Sequence, residues 1–364
     1  MHLLLFNLRM DLDDPVLGFA SRWVDAIAER VDRVTVVTMS AGRVEAPDNV
    51  TVHSVGKERG WSEPRRAAAF YEHCLRLMRT AQPDACFSHM IPVFSVLFAP
   101  LARAYRIPTL LWYAHGAVPI ELRVAERLVD RCVTSTPEGF RLPSGKLHVL
   151  QQGIDVARLV PPEPPSPQWA STIVCVGRIG PVKRLIESVE AVALLRQAGV
   201  PVAFEIIGAP ATAEDEHYER RVRARVQELG LGEAVAWRGR IPFDAIADAY
   251  RRGAILLNLS RSGSLDKVIL ESMACGCIPV SNNDAFAAIA RARGWDEIVP
   301  GASVEDAAET LRRTLAMSLE RQRMLRVEMR EFVSREHGLD GLVDRIVAHL
   351  GELTRRRRRV KALA

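Results

Sequence analysis

Two short segments put phosphate-binding side chains beside backbone features that attract anions by themselves. The first is Val174-Cys175-Val176-Gly177-Arg178-Ile179-Gly180-Pro181-Val182-Lys183. An apolar strand ends at Gly177, a loop carries Arg178 and Lys183, and a helix is expected from about Arg184. A loop between a strand's carboxyl end and a helix's amino end favours anions through free N–H groups and the helix dipole. Arginine adds a planar fork for phosphate oxygens, and lysine a mobile point charge. On spacing alone, two solvated cations on an exposed turn would read the same.

The second segment runs Ser262-Gly263-Ser264-Leu265-Asp266-Lys267-Val268-Ile269-Leu270-Glu271-Ser272-Met273-Ala274-Cys275-Gly276. Small residues at a helix start leave backbone N–H groups open to a phosphate. Lys267 and Glu271 are four apart and share a helical side, which also suits a plain surface ion pair. Ser264 could equally be a cap and Asp266 a first-turn acid favoured by the dipole. A third feature, Trp112-Tyr113-Ala114-His115-Gly116, follows an apolar strand. In a doubly wound sheet His115 would face a ligand cleft, and the plainer alternative is a hydrogen-bonded loop histidine.

The elements that would position these residues come in two α/β series. In the first, strands are expected at 3–8, 34–38, 50–55, 85–88, 109–113 and 131–134, with helices at 18–30, 64–80 and 93–105. In the second, strands are expected at 172–176, 203–207, 235–238, 255–259 and 278–280, with helices at 185–197, 214–229, 243–251 and 265–275. Strands separated by helices imply right-handed crossovers and parallel sheets. Between the series lies Pro161-Pro162-Glu163-Pro164-Pro165-Ser166-Pro167, whose five prolines admit neither a helix nor a central strand. The division is therefore a first domain at 1–160, a proline-rich linker at 161–170 and a second domain at 171–335. The stretch 304–353 reads as helical, 336–353 as a helix that could return to the first domain, and 354–364 as a mobile basic tail.

Composition narrows the class. Apolar residues make up 48% of the chain but aromatics only 6%, which suits buried strands covered by helices. No apolar run reaches the roughly 20 residues of a spanning helix, and the first residues lack the basic region of a secretory leader. The net charge is +5, and the basic residues of the tail account for all of it, so the body gives no reason to expect specific nucleic-acid binding. None of the 6 cysteines forms a C-x-x-C pair, and reduced core thiols are the expected state. No dinucleotide, P-loop, zinc-protease or nucleophile-elbow motif occurs.

Together the segments resemble the retaining GT-B glycosyltransferases of family 4, or group 1. Gly177, Arg178, Pro181 and Lys183 fit that family's G-R-x-x-P-x-K-G, with Arg184 in place of the last glycine. Phe204-Glu205-Ile206-Ile207-Gly208 is similar to its strand ending in glycine. Trp237-Arg238-Gly239-Arg240-Ile241-Pro242 is similar to its F-x-G-x-[VI]-P segment. Leu270-Glu271-Ser272-Met273-Ala274-Cys275-Gly276 is similar to its L-E-A-M-A-C-G. Two positions depart. Gly263 stands where the family often has a glutamate, and the first-domain loop, 11–19, holds only Gly18 where the family has paired glycines.

The resemblance implies two Rossmann-like, doubly wound parallel-sheet domains of the GT-B type facing across a cleft. It also implies a glycosyltransferase of hexosyltransferase type. Such an enzyme moves a sugar from a nucleoside-diphosphate sugar to a hydroxyl acceptor with retention. In this reading Arg178 and Lys183 hold the diphosphate, Glu271 the ribose, and His115 lies near the transferred sugar. Gly18, Gly177, Gly208, Arg240, Gly263, Ser264, Leu265, Asp266 and Lys267 complete the donor site. No metal and no cofactor is assigned, and Asp11-Leu12-Asp13-Asp14 is read as a solvated acidic loop rather than a metal-binding D-x-D. The expected setting is cytoplasmic and peripheral on the inner membrane face through the basic tail. A lipid-linked acceptor in cell-surface polysaccharide or glycolipid synthesis goes with it. A sugar-nucleotide epimerase and a non-catalytic GT-B scaffold are the rivals.

Overall fold

The computed structural model describes residues 1–14, 17–163, 169–242, 245–260 and 264–363, with backbone alone at 358 and 360–363. The chain forms two compact units, Met1–Gly153 with Leu339–Ala364, and Ile154–Gly338.

The first unit is built on strands β1 (His2–Asn7), β2 (Arg33–Thr38), β3 (Val50–Ser54), β4 (Ala85–His89), β5 (Thr109–Trp112), β6 (Arg131–Thr134) and β7 (Leu147–Val149). They form one parallel sheet in the order β3-β2-β1-β4-β5-β6-β7. A central parallel strand is buried on both faces, so β1 is a continuous apolar run rather than an alternating one. Its residues still divide by face. Leu3 and Leu5 pack with α1 (Phe19–Ala28) and α12 (Leu339–Leu363). Leu4 and Phe6 pack with α2 (Glu63–Thr80) and α3 (Pro92–Ala104). Phe6 has the rings of Phe70, Phe94 and Phe98 within 5.7 Å.

The second unit repeats the plan with β8 (Thr172–Val176), β9 (Ala203–Ile207), β10 (Val235–Gly239), β11 (Ile255–Asn258) and β12 (Ile278–Ser281). Their order is β10-β9-β8-β11-β12, all parallel. Ile173 and Cys175 face α5 (Leu185–Gln197), α6 (Ala213–Glu228) and α10 (Val304–Ala316). Val174 and Val176 face α8 (Lys267–Ala274) and α11 (Leu319–Glu336). The chain winds outward from β8 through β10, then returns beside β8 as β11. That reversal is the switch point at which doubly wound sheets bind ligands, beyond the carboxyl ends of the strands.

Several elements differ from the sequence reading. α4 (Ile120–Leu128), α9 (Asp284–Arg293) and the edge strand β7 were not expected. β7 has three residues and no buried one, so it leaves no apolar run to find. Helix α7 (Ile246–Arg251) begins after 243 and 244, which lie outside the described residues. The division between units falls ahead of the prolines, because 154–160 pack on the second unit. Ile154 and Leu159 join its core, and the Ile154 N–H donates to the His337 carbonyl at 2.7 Å. Of the prolines, 164, 165 and 167 lie outside the described residues.

The helical stretch expected at 304–353 is three helices, and the last belongs to the first unit. Leu339, Leu342, Val343, Ile346, Leu350 and Leu353 recur at three- and four-residue steps and enter the core beside β1. The Arg345 guanidinium donates to the Leu150 carbonyl at 2.9 Å, and Arg131 pairs with Glu352 at 2.8 Å. Residues 354–363, expected as a mobile tail, continue this helix. Arginine is a good helix former, and cations at a helix's carboxyl end complement its dipole. Arg357 also pairs with Asp130 at 2.7 Å. Truncating the fully buried Ile346 to alanine should cost about 2–5 kcal/mol, as for other buried aliphatic side chains. Urea unfolding of the full chain checks this.

Candidate functional site

The carboxyl edge of the second sheet begins with a close backbone approach. Gly177 ends β8 at φ +136°, and its N–H donates to the Ile207 carbonyl at 3.0 Å. Gly208 ends β9 at φ +148°, and its N–H donates to the Gly239 carbonyl at 2.8 Å. A Cβ on Gly208 would lie 1.8 Å from the Gly177 carbonyl oxygen. No side chain fits there, and this lets the loop after β8 pass directly over the end of β9.

That loop carries Arg178, whose guanidinium is half exposed and lies 3.7 Å from the buried Asp215 carboxylate. Asp215 is held in turn by the Ala211 N–H at 3.1 Å. A short turn, Pro181–Lys183, follows, and Arg184 is left-handed at φ +50°. Helix α5 then starts at Leu185, within the expected 185–197, and Arg184 is the strained link between turn and helix. Its side chain pairs with Glu187 at 2.9 Å.

Lys183 reaches across the switch point. Its ammonium donates to Asp266 Oδ2 at 2.9 Å, and both side chains are 17% exposed. Asn258, the last residue of β11, donates to the same oxygen at 3.1 Å. Burial pushes the Asp266 carboxyl up, but the Lys183 charge and hydrogen bonds from Lys183, Asn258 and Ser260 hold it below its ordinary value. Asn258 is itself fixed by the Ser260 N–H, which donates to its Oδ1 at 2.9 Å.

Asp266 is also the N-cap residue of α8, so the helix expected from Leu265 starts at Lys267. Burial lowers the Lys267 ammonium to about 8, with Glu271 opposing. Burial raises the Glu271 carboxyl, against the hydrogen bond from Tyr250 and the charges of Lys267 and Lys183. The Tyr250 hydroxyl donates to Glu271 Oε2 at 2.5 Å. The Ser264 carbonyl accepts from Asn283 Nδ2 at 2.9 Å, and Leu265 is buried. Gly263 lies outside the described residues. Arg240 is exposed at the end of β10, 3.4 Å from the Pro210 carbonyl. The second unit thus gathers Gly177, Arg178, Lys183, Gly208, Arg240, Ser264, Leu265, Asp266, Lys267 and Glu271 along its carboxyl edge.

Gly18 and His115 belong to the first unit. Gly18 caps α1 with ordinary helical backbone, φ −54°. His115 is exposed beyond β5, and its Nδ1 accepts from the Ala117 N–H at 3.0 Å, which leaves Nε2 as the nitrogen that carries the proton in the neutral ring. The acidic loop is not a solvated one. Asp11 is buried, salt-bridged to Arg9 at 2.8 Å and bonded by the N–H groups of Asp13 and Arg43. Its carboxylate fills space that only a glycine at 42 leaves open. Among the described residues no group of three or more His, Cys, Asp or Glu could hold a metal ion. All 6 cysteines are buried and unpaired.

Residues 161–331 match the family Glycosyl transferases group 1. That segment is a group 1 glycosyltransferase domain. A D-inositol 3-phosphate glycosyltransferase of Acidothermus cellulolyticus is 33% identical over 108 residues, 29% of this chain and 24% of the relative. The match thus spans about a quarter of that relative's length. Solved structures extend the likeness to the whole chain at the level of fold. Sucrose-phosphate synthase from Thermosynechococcus elongatus superposes with a TM-score of 0.75 at 16% identity, covering 100% of both chains. Anabaena HepE, solved with UDP-glucose, superposes with a TM-score of 0.72 at 15% identity, covering 97% of this chain and 100% of that one. Both units are therefore of the GT-B type.

Asp215, Tyr250, Asn258 and Ser260 escaped the sequence reading. Each acts by supporting another polar side chain, and none stands in a motif. Arg184 gives a stability test of the loop. Replacement by alanine removes the Glu187 pair and keeps the left-handed strain, whereas glycine removes both. The glycine variant should be more stable than the alanine variant by about 1–2 kcal/mol, the cost of left-handed backbone for a residue with a Cβ, as read from urea midpoints.

Proposed function

We propose that the protein moves a sugar from a nucleoside-diphosphate sugar to a hydroxyl acceptor with retention at the anomeric carbon. The observation that carries this reading is the Lys183–Asp266 pair across the switch point of the group 1 domain. The UDP-glucose in the HepE structure supports a nucleotide-sugar donor.

When the bond to the sugar breaks, negative charge grows on the leaving diphosphate. An ammonium has three donors and Asp266 takes one. Asp266 fixes where Lys183 sits, and the other donors serve the phosphate. Arg178 adds a second cation on the same loop. Such groups stabilise developing charge best when already in place, with no reorganisation at the moment of reaction. Glu271, held by Tyr250, would accept from the ribose hydroxyls. No residue is assigned as a covalent nucleophile.

The acceptor we propose is lipid-linked, in cell-surface polysaccharide or glycolipid synthesis on the cytoplasmic side of a membrane. No described helix is long and apolar enough to cross one. Contact would instead be peripheral, through the basic end of α12, where each cation near an anionic surface is worth about 1 kcal/mol.

Mass spectrometry after incubation with nucleotide-sugars and hydroxyl acceptors should show transfer, and a donor bound but never consumed would overturn the proposal. Lys183→Ala should weaken nucleoside-diphosphate binding by about 1.5–3 kcal/mol, the range for hydrogen bonds to charged groups, read by calorimetry. Vesicles with anionic lipid should float the full chain in low salt and float a version ending at Thr354 less.

A further inference from the structure

The amino edge of the first sheet, opposite the edge that carries His115, holds a cavity of about 590 Å³. Its walls are the chain just before β4 (Gln82, Asp84), the residues after α3 (Tyr105, Arg106) and the last turns of α12 (Thr354, Arg357). The volume lies in the range of small-molecule sites.

The charge at this cavity is lopsided. The neighbouring carboxylates are engaged by the protein itself. Asp84 accepts from the His2 N–H at 2.8 Å, and Asp130 accepts from the Thr109 N–H at 2.8 Å and pairs with Arg357. Arg106 is exposed and has no acid partner among the described residues. The helix dipole explains a last-turn cation such as Arg103 on α3. It does not explain Arg106, which lies beyond the helix. Its left-handed backbone, φ +56°, closes α3 in a Schellman turn, with the Ile107 N–H donating to the Ala102 carbonyl at 2.8 Å, and this turn sets Arg106 on the cavity wall.

We propose that this cavity binds a phosphate group, presented either by a soluble pyrophosphate or by a phosphomonoester lipid headgroup. Guanidinium forks match phosphate oxygens in pairs, and Arg106 and Arg357 bring two of them to one cavity from different elements. The proposal uses no residue of the donor site, so the two can fail separately.

The test begins with calorimetry of inorganic pyrophosphate on the full chain carrying Lys183→Ala, which weakens the donor site. Binding should persist there and fall about tenfold or more when Arg106→Asn or Arg357→Gln is added, the loss of one charged hydrogen bond. Asparagine tolerates left-handed backbone, so Arg106→Asn should keep the thermal midpoint while losing the ligand. Phosphatidylcholine vesicles with and without phosphatidic acid form the second arm. Binding only to phosphatidic-acid vesicles, with the same arginine dependence, would support the site and assign the phosphate to a lipid. No binding in either arm, or binding unchanged in both arginine variants, would overturn the proposal.

Discussion

Two charges set largely out of water, Lys183 and Asp266, constrain the whole carboxyl edge of the second unit. Removing an ion from water costs several kcal/mol, and one partner recovers that only if the remaining hydrogen-bonding capacity is also met. Asp266 meets part of it with Asn258, which is why the end of β11 is polar after an apolar strand. The Lys183 stem folds back along its own loop. Its Cε would be only 3.2 Å from a Cβ at 177, so the glycine there makes room for the lysine stem. Gly208 makes room for Gly177 in turn. The two glycines, the ion pair and the reversal of strand order are one packing solution. A change at any of them would move the ammonium.

Three ionisable groups on or beside the first turns of α8 respond to burial in different ways. Asp266 stays below its ordinary range despite burial because three side chains hydrogen-bond to its ionised form. Glu271, one turn on, has a hydrogen bond from Tyr250 and two cations near it, and burial still raises it. Lys267 is lowered to about 8 by the same burial. Asp266 has more donors than Glu271 and is also less deeply buried. A ligand that brings hydroxyl donors to Glu271 would therefore supply what the protein withholds, and would favour the ionised carboxylate.

Much of this was legible in the sequence, for identifiable reasons. Buried parallel strands are apolar runs, so nearly all of both sheets could be read. The glycines at 177 and 208 and the cations at 178 and 183 are local patterns. Arg184 stood out as a departure from a glycine, but its left-handed backbone was not read from that. What could not be read is what folding brings together from separate strands. Asn258 and Tyr250 have no local signal, since their partners lie 8 and 21 residues away. The apolar stripe of α12 was visible, but not the sheet it packs on. The arginines after Thr354 looked like a tail because like charges repel, and propensity, the dipole and Asp130 outweigh that repulsion.

Parallel topology also explains why the two edges of a unit must handle anions differently. Every crossover helix starts at the strands' carboxyl edge and ends at their amino edge. At the carboxyl edge, free N–H groups already favour negative charge, and one sheltered lysine and one arginine add to that field. At the amino edge the helix ends present carbonyls, which repel anions. A phosphate can bind there only if cations first satisfy those carbonyls and then exceed them. Arg103 meets the first requirement, while Arg106 and the arginines of α12 provide the excess. Exposed guanidinium groups are screened by salt over about 8–10 Å, whereas a lysine 17% exposed beside a fixed partner is screened much less. The amino edge is therefore suited to ligands that arrive with several charges or in a charged surface. The carboxyl edge keeps the field of its sheltered lysine at physiological ionic strength.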